Sequence, residues 1–192
     1  MSKKDFKSAQ DLQKPAAQGA QKPFEVFLDM DGVLSDFDKH ARDNGKFDAK
    51  GQPKWDELDF GWWVSMPAFD GMKKFYDDMK EFGKVRMLTA PTPRTACFHG
   101  KAAWVEKQWG HWGLLDLIIC RAQDKELLAR PNHVLVDDRQ KNIDAWVKAG
   151  GIGVLHKGDY ADTIARVRAA CEAYLAAQNA TPAQPAGKPP TL

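Results

Sequence analysis

Short runs of β-branched and large apolar residues punctuate the middle of the chain, at residues 24–30, 85–88, 117–120 and 133–136, with 152–155 as a fifth. Each is nearly continuous rather than alternating, the pattern of a strand buried on both faces. Between them the apolar spacing lengthens to three and four. Met72, Phe75, Tyr76, Met79 and Phe82 form one such stripe, with Gly83 after them as a stop signal. Trp104, Val105, Gln108 and Trp109 suggest a second helix, Ile143, Trp146 and Val147 a third, and residues 160–177 a long last one. Strands alternating with helices predict an α/β fold, a Rossmann-like parallel sheet with helices on both faces.

One segment breaks the alternation. Residues 38–67 are aromatic, punctuated by Gly and Pro, and lie between the first strand and the helix that begins near Met72. They read as a small cap insert after the first strand, placed to close over a site at the strand end. Residues 1–22 hold few large apolar side chains and are interrupted by Pro15, while residues 179–192 are rich in Pro and Ala. Such compositions bury too little surface to offset the entropy of ordering, so a flexible N-terminal segment and a disordered tail are expected. That leaves 23–178 as one domain.

Composition narrows the function classes. Hydrophobic residues at 43% and charged residues at 28% fit a globular domain, and no apolar run approaches a membrane span. A net charge of +2 leaves no broad basic field, so a nucleic-acid partner is not expected. Cys97, Cys120 and Cys171 are widely spaced and odd in number, which reads as reduced thiols. With no apolar core of signal-peptide length near the N-terminus, a cytoplasmic location is expected. A homodimer is one allowed assembly.

In a parallel α/β sheet, ligands bind beyond the carboxyl ends of the strands. The first strand there ends in Asp29-Met30-Asp31-Gly32, the second in Thr89, the stretch after the third holds Lys125, and the fourth ends in Asp137-Asp138. Clustered carboxylates repel unless a cation sits among them, and hard oxygen donors favour Mg2+. The chemistry this suits is phosphoryl transfer, with Asp29 as nucleophile and Asp31 as general acid and base. Thr89 and Lys125 would bind the phosphoryl oxygens. One of Asp137 and Asp138 could instead cap the following helix. Trp104, Trp109 and Trp112 are read as packing, and His99, His111, His133 and His156 as structural.

This set of motifs resembles the haloacid dehalogenase superfamily. The resemblance implies metal binding by the Asp29 side chain, the Asp31 backbone carbonyl and an acid of the Asp137-Asp138 pair. The runs LDMDGVLSDF, LTAPTP, KAAWVEKQWG and LVDDR are similar, more narrowly, to the 5′(3′)-deoxyribonucleotidase family. That similarity implies a small phosphomonoester substrate, a nucleoside monophosphate, with Phe37 stacking on the base and Trp62 and Trp63 of the cap completing the pocket. The chain departs from the family at Ala90, where Ser is common, and at Gln123, where Arg is frequent. Both changes remove a polar contact near the phosphate or sugar. Two alternatives stay open: a phosphatase of nucleic-acid terminal phosphates or another phosphometabolite, and a catalytically silent nucleotide-binding protein.

Overall fold

The computed structural model describes residues 23–180; the expected N-terminal segment and all but the first two residues of the expected tail lie outside them. Five parallel strands, β1 (Phe24–Leu28), β2 (Gly83–Thr89), β3 (Leu117–Ile119), β4 (His133–Asp137) and β5 (Ile152–Leu155), pair in the order β3-β2-β1-β4-β5. The first strand is therefore central, and the chain crosses to opposite sides of it. The carboxyl end of β1 is the switch point where such sheets form a ligand crevice.

The continuous apolar runs are explained by what lies on each face. Val26 and Leu28 of β1, with Val85, Met87, Val134 and Val136, pack against α3 (Met72–Met79), α4 (Thr95–Trp109) and α6 (Tyr160–Ala180). Phe27, Leu88 and Leu135 point the other way, onto Ile143 and Trp146 of α5 (Gln140–Lys148). Strands covered on both sides cannot alternate apolar with polar residues. No helix among the described residues is long and apolar enough to cross a membrane.

Three details depart from the sequence pattern. Helix α3 stops at Met79, and Gly83 opens β2 instead of closing the helix. A Cβ at Gly83 would sit 1.7 Å from the Phe24 carbonyl oxygen, so the glycine is needed for close strand approach. The last helix runs to Ala180, two residues into the expected tail. Trp112 is 55% exposed and does not pack as expected, whereas Trp104 is fully buried and donates its indole N–H to Met66 O at 2.8 Å.

Between β1 and α3 the chain makes α1 (Phe37–Asp43), a 3-10 turn at Trp55–Glu57 and α2 (Phe60–Ser65). A stem closes this insert: Asp36 N–H donates to Pro67 O and Phe69 N–H to Leu34 O. Helix α2 lies flush on α4, because Gly100 presents no side chain to Trp63; a Cβ there would come within 2.3 Å of the Trp63 Cβ. The insert is thus seated over the carboxyl end of the sheet.

Candidate active site

The turn after β1 is fixed by the backbone. Asp29 N–H bonds Val136 O at 2.9 Å, tying the strand end to β4, and Leu34 and Ser35 N–H both donate to Met30 O. Gly32 makes the reversal possible at φ +80°, a conformation side chains rarely adopt. A Cβ at Gly32 would also lie 2.4 Å from Asp138 Oδ2, so the glycine lets the β1 and β4 turns meet.

That meeting gathers the charges. Lys125, 2% exposed in a 3-10 segment (Ala122–Leu128), places its ammonium 3.0 Å from Asp29 Oδ1 and 2.7 Å from Asp137 Oδ2. Asp29 Oδ1 also accepts from Met30 N–H at 2.8 Å, while Oδ2 accepts no hydrogen bond among the described residues. Asp137 serves two ends: its Oδ1 takes Arg139 N–H at 2.9 Å at the start of α5, and Asn142 donates to both of its oxygens. Helix α5 has no side-chain cap, so neither Asp137 nor Asp138 caps it; Asp137 instead holds the residue before the helix and Asn142 within it, and Asp138 stands at the rim.

The electrostatics show a site short of positive charge. Burial, with Asp137 and Asp31 adding repulsion that Lys125 and Lys101 offset in part, pushes the Asp29 carboxyl up to about 7. Asp138 loses hydration over Gly32 and feels Asp137, which raises it to about 6. For Lys125 burial works against the charged form, but Asp29 and Asp137 outweigh it and hold the ammonium above its usual range. Asp29, Asp137 and Asp138 can each bring one ligand oxygen within 4.8 Å of the others. Three hard oxygen donors that repel when ionised fit a divalent cation of the magnesium type. The Asp31 side chain is not in this trio.

Asp31 is held elsewhere, by the lysine that opens the run KAAWVEKQWG and that has no assigned role in the sequence pattern. Lys101 of α4 is fully buried and donates to Asp31 Oδ2 at 2.6 Å and to Thr89 Oγ1 at 2.9 Å. Its ammonium also lies 5.1 Å from the centre of the Trp63 ring. The signal was present in the sequence, because Lys101 shares a helical face with Cys97, Trp104 and Val105, all buried. A lysine in the middle of a core stripe needs a carboxylate partner.

Beyond these groups opens a cavity of about 620 Å³ lined by Asp29, Asp31 and Lys125 at its base and by Trp55, Trp63 and Phe98 on its walls. The size suits a small organic ligand. The structure brings Trp63 to this cavity and leaves Trp62 and Phe37 off its lining. Phe37 and Trp62 are buried against each other with ring centres 5.3 Å apart, and Trp62 also lies on His40. Trp55 and Phe98, not among the sequence-predicted site residues, also reach the cavity; they are 40% and 43% exposed, which no helical stripe predicts. Ala90 and Gln123 both line it.

No family model and no curated protein matches the sequence. Among solved structures, a haloacid dehalogenase-like family hydrolase from Xanthomonas campestris aligns with TM-score 0.59 and 14% identity, covering 85% of this chain and 98% of its own. A haloacid dehalogenase-like hydrolase from Burkholderia xenovorans LB400 aligns with TM-score 0.48 and 16% identity, covering 75% and 90%. The likeness to the first is one of fold.

Proposed function

We propose that this chain, which has the haloacid dehalogenase-like fold, is a magnesium-dependent phosphomonoesterase working through an aspartyl phosphate on Asp29, with nucleoside monophosphates as substrates in the manner of a 5′(3′)-deoxyribonucleotidase. The observation that carries this reading is the buried Asp29–Lys125–Asp137 chain, at 3.0 and 2.7 Å, at the floor of an aromatic-walled cavity.

Lys125 and Met30 N–H occupy Asp29 Oδ1, which leaves Oδ2 to attack phosphorus. As the Asp29–phosphorus bond forms, the ester bond breaks and Asp31 gives a proton to the departing oxygen. Water then attacks the aspartyl phosphate, Asp31 takes the water's proton, and Asp29 is released. Magnesium, when held by Asp29, Asp137 and Asp138, with the Asp31 backbone carbonyl that the family resemblance adds, supplies positive charge against the phosphoryl oxygens and the carboxylates. Lys125 contributes a second cation at the same oxygens.

Two observations support a nucleoside as the leaving part. Trp55, Trp63 and Phe98 offer flat apolar surface beside the carboxylates, and aromatic stacking is worth about 1–3 kcal/mol per base with little regard to its identity. Three of the four lysines of the insert pair with its own acids, Lys39 with Asp43 and both Lys46 and Lys54 with Glu57, which leaves no continuous basic track for a polymer.

The test is phosphate release with magnesium from ribo- and deoxyribonucleoside monophosphates, sugar phosphates and a 5′-phosphorylated oligonucleotide. Selective turnover of the deoxynucleotides, abolished by Asp29→Asn in a folded protein, is expected. Full activity of Asp29→Asn refutes the nucleophile, and turnover of sugar phosphates or the oligonucleotide alone refutes the substrate.

A further inference from the structure

We infer that Lys101 is a positioning residue for this chemistry, fixing which oxygen of Asp31 meets the leaving group and which way the Thr89 hydroxyl points. The inference rests on the phosphomonoesterase reading above. A lysine ammonium has three hydrogens to donate and no lone pair, so each of its partners must accept. Lys101 donates to Asp31 Oδ2 at 2.6 Å and to Thr89 Oγ1 at 2.9 Å. Its remaining side lies over the Trp63 ring at 5.1 Å, so no donor is left for a substrate.

The consequences differ for the two partners. Asp31 Oδ2 is occupied, while Oδ1 holds only a 3.3 Å contact from the Ser35 hydroxyl. Oδ1 is thereby the oxygen that passes the proton. Thr89 is fully buried and its oxygen accepts from Lys101, while its own hydrogen has no partner among the described residues, which leaves that hydrogen as the one it can donate to a phosphoryl oxygen. A threonine without this neighbour could present either a lone pair or a hydrogen to an anion, and only the second is favourable. The depth of Lys101 is set from both sides: Gly100 lets Trp63 close on α4, and Trp104 anchors the next turn to Met66. Through Trp63 the insert that lines the cavity also holds the group that aims the acid.

The test separates leaving groups. An alkoxide leaving from a deoxynucleoside 5′-monophosphate needs the Asp31 proton, whereas nitrophenolate leaving from p-nitrophenyl phosphate does not. Lys101→Met, nearly the same in volume, is expected to lower the first-turnover rate of nucleoside release by about 10²–10⁴-fold, the range of a general acid's contribution, and the first-turnover burst of nitrophenolate by under about 10-fold; the later loss of phosphate from Asp29, where Asp31 acts as base, is common to both and is kept out of the comparison. In an Asp31→Asn background the same substitution should cost the nucleotide reaction nothing more, because the two residues act as a unit. Near-UV circular dichroism checks that the variants fold, and Lys101→Gln, which keeps an N–H donor, repeats the comparison should Lys101→Met fail to fold. Equal losses on both substrates, or additive losses with Asp31→Asn, overturn the inference alone. A wild-type protein silent on both substrates overturns the phosphatase reading and the inference with it.

Discussion

Trp55 and Trp62 belong to the same insert, but their surroundings assign them opposite consequences. Trp55 is 40% exposed and lines the cavity, while Trp62 is 7% exposed and packs on Phe37, His40 and Trp63. Trp55→Ala should raise KM for nucleotides by about 10–100-fold with kcat nearly kept, the worth of one stacked ring. Trp62→Ala should leave the KM of folded protein close to wild type and cost about 3–5 kcal/mol of stability, as large-to-small core changes do. Steady-state kinetics and chemical denaturation separate the two, and a larger KM effect at Trp62 would contradict this placement. Sequence could not sort these rings, because adjacent aromatics in an insert look alike until the fold decides which are covered. The acidic residues are legible in the sequence: Asp29, Asp31, Asp137 and Asp138 each follow a buried apolar run, and a charge at such a position marks a strand end. Lys101 is less legible, since its helix begins at Thr95, well before the stripe at Trp104 that announces it.

Among the elements, the contact of α2 with α4 matters most for the site. Gly100→Ala would put a methyl group 2.3 Å from the Trp63 Cβ, and neither helix backbone can yield without moving Lys101 or the cavity wall. Overpacking of this kind costs about 1–3 kcal/mol, and here nucleotide turnover should fall together with the melting temperature. A variant with unchanged melting and unchanged activity would show that the insert is not seated on α4 as described. On the same face of the sheet, α3 gives a pH signature. Burial, with the charges of Asp116 and Asp77, pushes the Tyr76 phenol up to about 12, and its hydroxyl points to Val85 O. An unfolded tyrosine ionises near pH 10, so the folded state holds its proton longer. Tyr76 therefore contributes stability that is complete below about pH 10 and is lost as pH rises towards 12. Melting curves between pH 9 and 12 should fall steeply for the wild type and less steeply for Tyr76→Phe; parallel curves would contradict the assignment.

For the whole molecule, the strand runs and their flanking helices were enough to predict a parallel sheet, because burial on both faces leaves no room for alternation. Strand order was not legible. It depends on which crossover goes to which side of β1, and nothing in an apolar run records that choice. Order is nevertheless what makes the site, since β1 between β2 and β4 is what brings Asp29, Thr89 and Asp137 to one edge. The insert reaches the same edge because its stem closes directly after the Asp29 turn. Fold and site are thus coupled: the glycines at 32, 83 and 100 are each required by a close approach, and two of them adjoin the site, Gly32 against Asp138 and Gly100 next to Lys101.

The central claim is that Asp29 carries the phosphoryl group during turnover. Acid-quenching the enzyme during steady-state hydrolysis of a deoxynucleoside monophosphate with magnesium, followed by peptide mass spectrometry, reads this directly. The account predicts one phosphoryl group on the peptide containing Asp29, located at that residue and missing from Asp29→Asn. Continued phosphate release by the wild type with no phosphorylated peptide, or with the group on another residue, would contradict it.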